Sequence, residues 1–136
     1  MTLQTNNVAL ITGASGGIGK QFAYLHAAKG GDLVLVARSK QSLETLKVEL
    51  ENQYKVSVTV IAQDLAKPDA AKTLFEHTES LGIQVDLLIN NAGFGGHGKF
   101  HERDLAAEQA MMQLNIVTLT ELSHFYLQGM IARNRG

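Results

Sequence analysis

Four glycines lie within residues 12–19 (TGASGGIG), near the start of the chain. The apolar run at residues 8–11 precedes them, and an apolar pattern at helical spacing follows. A glycine loop between a strand and a helix leaves backbone N–H groups open to an anion, because no β-carbon blocks the approach and the helix N-terminus is the positive end of its dipole. A tight turn would explain only one or two of these glycines. The segment therefore predicts a phosphate-binding loop.

Two well-characterised phosphate loops do not fit this spacing. The nucleoside-triphosphate loop has the form G-x-x-x-x-G-K-[ST]. Here five residues separate Gly13 from Gly19, and Gln21 stands where the magnesium-binding hydroxyl is required. The dinucleotide form G-x-G-x-x-G also fails, because the glycines follow the pattern G-x-x-x-G-x-G from Gly13 through Gly17 to Gly19.

The remainder of the chain alternates strand and helix patterns. Further strands are predicted over residues 33–36, 56–62 and 85–89, and the last helix from about residue 104. Pro68 is predicted to lie in the first turn of a third helix. The first strands carry no alternating polar residues, which favours a parallel sheet covered by helices over an α+β fold. We therefore predict the first four strands and helices of a Rossmann-like, doubly wound α/β fold, with strand order 3-2-1-4.

The pattern T-G-x-x-x-G-x-G in residues 12–19 resembles the cofactor loop of the short-chain dehydrogenase/reductase family. Three further features stand in that family's order and spacing, namely Asp64-Leu65 after the third strand, residues 90–93 (NNAG) after the fourth, and Asn115 in the long helix. The resemblance covers essentially the whole chain. It implies an oxidoreductase that transfers a hydride between a nicotinamide cofactor and a carbonyl or alcohol substrate.

The resemblance assigns the glycine loop to the cofactor pyrophosphate, through backbone N–H groups and one hydroxyl of Gly13, Ser15, Gly17, Ile18 and Gly19. Asp64 is expected to accept a hydrogen bond from the adenine amino group, with the Leu65 backbone beside it. A helix-capping aspartate before Pro68 is the alternative for Asp64.

The NNAG segment is assigned to the adenosine ribose. Asn91, Ala92 and Gly93 are expected to form a wall of small residues against that sugar. Asn90 is expected to be structural and to tie strand ends together.

Arg38 directly follows the second predicted strand. In dinucleotide-binding folds an acidic residue at this position binds the ribose 2′-hydroxyl, whereas an arginine accommodates a 2′-phosphate. Ala37 occupies the acidic position, and the guanidinium of Arg38 is a rigid fork suited to phosphate. A solvated surface arginine is the alternative. The pair favours NADP over NAD.

Asn115 is the one catalytic candidate. An asparagine inside a helix is unfavourable unless its side chain has a specific partner. The resemblance implies that Asn115 helps to hold a water that relays protons to a catalytic lysine. The alternative is a hydrogen bond to a backbone carbonyl at a helix kink, and both roles are compatible.

The family's remaining catalytic groups are a serine and a Tyr-x-x-x-Lys motif, in which the tyrosine transfers the proton. None of Tyr24, Tyr54 and Tyr126 has a lysine four residues later. We therefore expect residues 1–136 to be the cofactor-binding part of a single Rossmann-fold domain that ends before the fifth strand, and the 136-residue chain to be inactive alone. The alternatives are a non-catalytic nucleotide-binding module and an epimerase or dehydratase that uses the same cofactor fold.

Composition limits the other possibilities. Hydrophobic residues make up 45% and charged residues 18% of the chain, as in globular domains. A net charge of −1 argues against nucleic acid or an anionic membrane as partner. There is no cysteine, and His97 and His101 lack further ligands, so no metal site is expected. The first residues do not form a signal peptide, which leads us to expect a cytoplasmic protein, and the resemblance implies a homo-oligomer.

Overall fold

The computed structural model describes residues 7–136 as alternating strands and helices. The strands are β1 (Val8–Thr12), β2 (Asp32–Ala37), β3 (Val58–Ala62) and β4 (Leu87–Ile89). The α-helices are α1 (Gly17–Ala28), α2 (Lys40–Tyr54), α3 (Ala70–Ser80), α4 (Leu105–Met112) and α5 (Leu119–Arg133). A π-helical segment, Gln113–Thr118, joins α4 to α5 without a break.

The strands form one parallel sheet in the order β3-β2-β1-β4. Leu10 of β1 lies opposite Val34 of β2 on one side and Leu88 of β4 on the other. The predicted Rossmann-like fold and its strand order are confirmed. In such a sheet the carboxyl ends of all strands meet at one edge, where ligands bind.

Helices cover both faces of the sheet, which explains why the strands are apolar throughout. On one face Ile11 and Leu35 pack with Leu43 of α2. On the other face Leu10 packs with Leu74 of α3 and Leu122 of α5. Because side chains alternate along a strand, neighbouring residues such as Leu10 and Ile11 supply opposite cores.

Two details differ from the sequence predictions. The helical spacing of apolar residues such as Ile18 and Leu25 predicts α1. The helix packs against the sheet through Gly19, Ala23 and Ala27 instead, while Ile18 is 69% exposed and Leu25 is 62% exposed. Helical spacing identified the helix, but small residues form its buried face because they allow it to approach the sheet closely. Helix α3 begins at Ala70, so Pro68 lies in the preceding turn.

The helices described over residues 7–136 fall short of a bilayer span. None of them is both long enough and apolar enough to cross a membrane.

Candidate functional site

A cavity of about 500 Å³ opens at the carboxyl ends of β1, β2 and β3. Its volume lies within the range of about 300–1,000 Å³ that is usual for ligand and cofactor sites. Most of the residues predicted to bind a cofactor line it, namely Gly13, Ser15, Arg38, Asp64, Leu65, Ala92 and Gly93. The fold thus gathers at one place residues that lie up to eighty positions apart in the sequence.

The other predicted residues lie around this cavity. Gly17, Ile18 and Gly19 form the first turn of α1, directly after the glycine loop. Asn115 lines an open groove next to the cavity, and the two share Ala92 and Gly93. The cleft is therefore continuous from the end of β2 to the π-helical segment.

The glycines of the loop have different reasons for being glycine. Gly13 and Gly17 have positive φ angles of 64° and 54°, which other residues adopt only with strain. A β-carbon on Gly13 would lie 2.9 Å from Asn91 Nδ2, and one on Gly19 would lie 2.5 Å from the same atom. The fold itself therefore requires glycine at Gly13, Gly17 and Gly19. The number of glycines in the loop is by itself no evidence that the loop binds phosphate.

Gly16 is the glycine that the fold does not explain. Its φ of −166° is extended backbone that any residue adopts, and a β-carbon there would meet nothing within 4 Å. Gly16 is the N-cap of α1, where the first N–H groups have no partners within the helix. Bare backbone beside these N–H groups and facing open space suits an anion such as a pyrophosphate.

Hydrogen bonds between Thr12 and Asn91 hold the glycine loop against the end of β4. Asn91 Nδ2 donates to the carbonyl oxygens of Thr12 at 3.1 Å and Gly13 at 3.2 Å. Thr12 Oγ1, which is buried, accepts from the backbone N–H of Asn91 at 3.0 Å and of Ala92 at 2.9 Å. Sequence reasoning missed Thr12, although a hydroxyl that ends an apolar strand is a visible signal.

The side chains of both asparagines in the NNAG segment form hydrogen bonds to other parts of the fold. Asn90 Nδ2 donates to Ser123 Oγ of α5 at 3.0 Å, which agrees with the structural role expected for Asn90. The side chain of Asn91 is engaged by the glycine loop, so that Ala92 and Gly93 are the members of the segment that line the cavity.

Asp64 lines the cavity and also shapes its own turn. Its Oδ1 accepts a hydrogen bond from the backbone N–H of Ala66 at 2.9 Å. The N-cap of α3 is Asp69, so Asp64 does not cap that helix. The carboxylate is therefore held at the cavity wall by a local turn.

Arg38 lies at the cavity rim and is exposed. No carboxylate lies within 4.0 Å of its guanidinium among residues 7–136. The next residue, Ser39, caps α2 by accepting from the Ser42 N–H at 3.3 Å. Arg38 thus places an unneutralised cation beside the positive end of a helix dipole.

The side chain of Asn115 bonds the loop that follows β4 through both its oxygen and its nitrogen. Its Oδ1 accepts from the Phe94 N–H at 3.1 Å, and its Nδ2 donates to the Phe94 carbonyl at 2.8 Å. A β-carbon on Gly93 would lie 2.9 Å from Asn115 Oδ1. Asn115 also lies in the π-helical segment, a feature that is frequent at functional sites. The alternative role predicted for Asn115 is a hydrogen bond to a backbone carbonyl at a helix kink; the carbonyl observed belongs to the loop after β4 and not to the helix.

An ion pair holds the far end of the same loop. Arg103 pairs with Glu108 of α4, and Arg103 Nη1 donates to the His97 carbonyl at 2.8 Å. A β-carbon on Gly96 would overlap the guanidinium, so a larger residue there would displace this end of the Arg103 side chain. Sequence reasoning missed this pair because nothing along the chain marks Arg103 as the partner of a glycine loop.

Two buried threonines complete the hydrogen bonds near α3 and α5. Thr118 Oγ1 donates to the Leu65 carbonyl at 2.7 Å. Thr78 Oγ1 lies 2.8 Å from Tyr126 Oη, and burial raises the pKa of that phenol to about 12.

In the part of the chain that the structure describes, no three His, Asp or Glu side chains form a metal-binding group.

Comparison with known proteins identifies the family. The family model described as "short chain dehydrogenase" matches residues 7–136. The chain therefore belongs to the short-chain dehydrogenase family, as the four sequence features predicted.

Relatives of known activity are similar along nearly the whole chain. The 7beta-hydroxysteroid dehydrogenase of Collinsella aerofaciens is 33% identical over 127 residues, which are 93% of this chain and 48% of that protein. The very-long-chain 3-oxoacyl-CoA reductase of Phaeosphaeria nodorum is 35% identical, with 94% of this chain and 39% of that protein covered. This chain spans about half the length, or less, of these relatives.

Solved structures agree. A short-chain dehydrogenase from Sphingobium yanoikuyae in complex with NADPH superposes with a TM-score of 0.89 at 32% identity, covering 96% of this chain and 50% of that one. A 7beta-hydroxysteroid dehydrogenase structure superposes with a TM-score of 0.90 at 31% identity and covers 98% of this chain and 52% of that one. The shared region is the sheet and the cleft described above.

Proposed function

We propose that this chain binds NADP(H) and is the cofactor-binding part of an oxidoreductase that acts on a carbonyl or alcohol substrate. The observation that carries the proposal is the cavity at the carboxyl ends of three parallel strands, which brings together the glycine loop, Arg38 and Asp64. The relatives named as hydroxysteroid dehydrogenase and 3-oxoacyl-CoA reductase, and the neighbour solved with NADPH, support it.

The residues present fit such a cofactor. The pyrophosphate would be held by the loop and first turn of α1, that is by Gly13, Ser15, Gly17, Ile18 and Gly19. Asp64 and the Leu65 backbone would contact the adenine. Ala92 and Gly93, supported from behind by Asn91, would contact the adenosine ribose. The bare backbone at Gly16 supports this assignment, because it leaves room for a phosphate where the fold does not require glycine.

Arg38 would bind the 2′-phosphate of NADP(H). The exposed guanidinium has no carboxylate partner within residues 7–136 and lies beside the N-terminus of α2. An unneutralised cation at this position favours a phosphate over a hydroxyl. Ala37, at the end of β2, provides no side-chain acceptor for the 2′-hydroxyl of NAD(H).

In catalysis the nicotinamide supplies hydride transfer when it is bound. The contribution of Asn115 would be to position the Phe94 backbone at the mouth of the cleft, through its two hydrogen bonds. Residues 1–136 contain no Tyr-x-x-x-Lys motif, so we propose that they form one part of the catalytic domain and do not reduce a ketone alone.

Direct titration tests the proposal. NADPH and NADH are titrated separately into the 136-residue chain and followed by calorimetry and by nicotinamide fluorescence. We expect NADPH to bind more tightly than NADH. Absence of saturable binding by either nucleotide to the folded chain refutes the proposal, and tighter binding of NADH refutes the assignment of NADP.

A non-catalytic nucleotide-binding module is the second candidate. The cavity and the glycine loop support it as well, since they would bind a nucleotide without chemistry. The full-length natural protein distinguishes the two. NADPH oxidation with a ketone substrate supports the oxidoreductase, whereas binding without turnover across steroid, acyl and sugar ketones supports the module.

Self-association through α4 and α5 is also proposed. Met112, Ile116, Leu127 and Ile131 on this helical stretch are 48%, 59%, 49% and 66% exposed. Exposed apolar side chains on one helical rod are a typical oligomer interface. Sedimentation equilibrium of the natural protein, with Ile116→Glu as the disrupting variant, tests this expectation.

A further inference from the structure

Thr118 makes an unusual hydrogen bond for a threonine within a helical stretch. Hydroxyls in helices commonly bond the carbonyl four residues earlier, as Thr120 and Ser123 do here with Ile116 and Leu119. Thr118 is 1% exposed, and its Oγ1 instead donates at 2.7 Å to the carbonyl of Leu65, which is 53 positions away. Gln113 Nε2 donates a second hydrogen bond to Thr118 Oγ1 at 3.2 Å.

The partner of Thr118 belongs to the wall of the cofactor cavity. Residues 63–66, which follow β3, all line that cavity. Gln63 is joined to β2 through its N–H, which donates to the Ala37 carbonyl at 2.9 Å, and to α3 through its Nε2, which donates to the Ala70 carbonyl at 2.7 Å. The Asp64 carboxylate accepts from Ala66 within the turn. Among residues 7–136, the hydrogen bond from Thr118 is the one that joins Leu65 to the π-helical segment.

The helical segment that carries Thr118 reaches the cleft at two further points. Leu114 lines the cavity, and Asn115 holds the Phe94 backbone at its mouth. Both residues, like Thr118, lie in the π-helical segment Gln113–Thr118. One short segment therefore contacts the turn after β3 and the loop after β4.

We propose that Thr118 is a positioning residue for the adenine half of the cofactor. Its hydroxyl fixes the Leu65 carbonyl, and through it the Asp64–Leu65 turn, relative to the rest of the cleft. This inference rests on the proposed cofactor binding and adds a residue that does not itself line the cavity. A turn that is already fixed when the ligand arrives binds it more tightly, because less ordering accompanies binding.

The test compares two buried threonines in the same layer. Thr118→Val keeps the shape of the side chain and removes the hydroxyl, and Thr118→Ser keeps the hydroxyl. Thr78→Val is the matched control, because Thr78 is 0% exposed, bonds the Phe75 carbonyl at 2.9 Å and Tyr126 at 2.8 Å, and does not line the cavity. Each variant of the 136-residue chain is titrated with adenosine 2′,5′-bisphosphate, and its thermal unfolding is recorded.

We expect Thr118→Val to weaken binding of adenosine 2′,5′-bisphosphate about tenfold, as the loss of one buried hydrogen bond implies. Thr118→Ser is expected to stay within about threefold of the parent, and Thr78→Val to bind like the parent although it unfolds at a lower temperature. Amide exchange of Ala66 is expected to accelerate in Thr118→Val and to remain unchanged in Thr78→Val.

Equal weakening by Thr118→Val and Thr78→Val overturns the inference, since both would then act through general stability. Unchanged affinity in Thr118→Val overturns it as well. If Thr118→Val does not fold, Thr118→Ala removes the same hydroxyl from a smaller side chain, and an affinity equal to the parent's then counts against the inference. A parent chain that folds but does not bind adenosine 2′,5′-bisphosphate refutes the proposed function, whereas binding by the parent with no difference among variants refutes only the role of Thr118.

Discussion

Removal of the Arg38 guanidinium is the sharpest test of the NADP assignment. Arg38 lies at the rim of the cavity, directly after β2, and no carboxylate in the described residues neutralises it. Arg38→Ala therefore removes a proposed ligand contact without breaking an observed ion pair. We expect NADP(H) binding to weaken while NADH binding stays nearly constant.

The magnitude follows from the exposure of the side chain. A hydrogen bond to a charged group contributes about 1.5–3 kcal/mol. Arg38 is exposed, and solvent screens such a contact, which places it at the lower end of that range. At about 1.4 kcal/mol per tenfold, Arg38→Ala is expected to weaken NADPH binding about tenfold.

Calorimetric titration of both nucleotides against parent and variants measures this difference. Lys40→Ala is the matched control, because Lys40 is an exposed cation at the start of α2 but does not line the cavity. Ala37→Asp is the complementary variant, since a carboxylate there repels the 2′-phosphate and accepts from the 2′-hydroxyl. It is expected to shift preference toward NADH.

Two results would refute the reasoning. Equal weakening of NADPH and NADH by Arg38→Ala would mean that Arg38 supports the cleft and does not recognise the 2′-phosphate. Equal effects of Arg38→Ala and Lys40→Ala on NADPH would mean that only the overall positive charge near α2 matters. A salt titration of the parent separates these cases further. Added salt weakens NADPH binding more uniformly if the binding depends on diffuse positive charge than if it depends on one specific contact.

Three further predictions concern stability and association. Asn115→Ala removes both hydrogen bonds to the Phe94 backbone, so the free energy of unfolding measured in urea should fall by about 1–2 kcal/mol; an unchanged midpoint contradicts this. Burial raises the pKa of Tyr126 to about 12. Because an unfolded tyrosine titrates near pH 10, stability should decline as pH rises from about 10 to about 12, and Tyr126→Phe should flatten that decline in alkaline melts. The edge strand β4 pairs only with β1 in the described sheet, and Leu87 is 39% exposed, so the 136-residue chain should self-associate through this edge; a monomer in sedimentation at micromolar concentration, with no change in Leu87→Lys, contradicts this.

The sequence by itself determined the class of fold and the place of the site. Continuous apolar strands require cover on both faces, and the alternation with helices leads to a parallel sheet. Residues that directly follow strands, such as Gly13, Arg38 and Asp64, must then meet at one edge of that sheet. These inferences depend on local pattern and chain order, which are fully present in the sequence.

Only the tertiary structure decided which side chains hold this site together. The exposed position of Ile18, the engagement of Asn91 by the glycine loop, and the bond from Thr118 to Leu65 all depend on contacts between distant parts of the chain. Periodicity places a residue on a helix or strand, but it does not say which distant group lies opposite. A buried hydroxyl or amide must find a partner, and the partner is defined by how the layers pack.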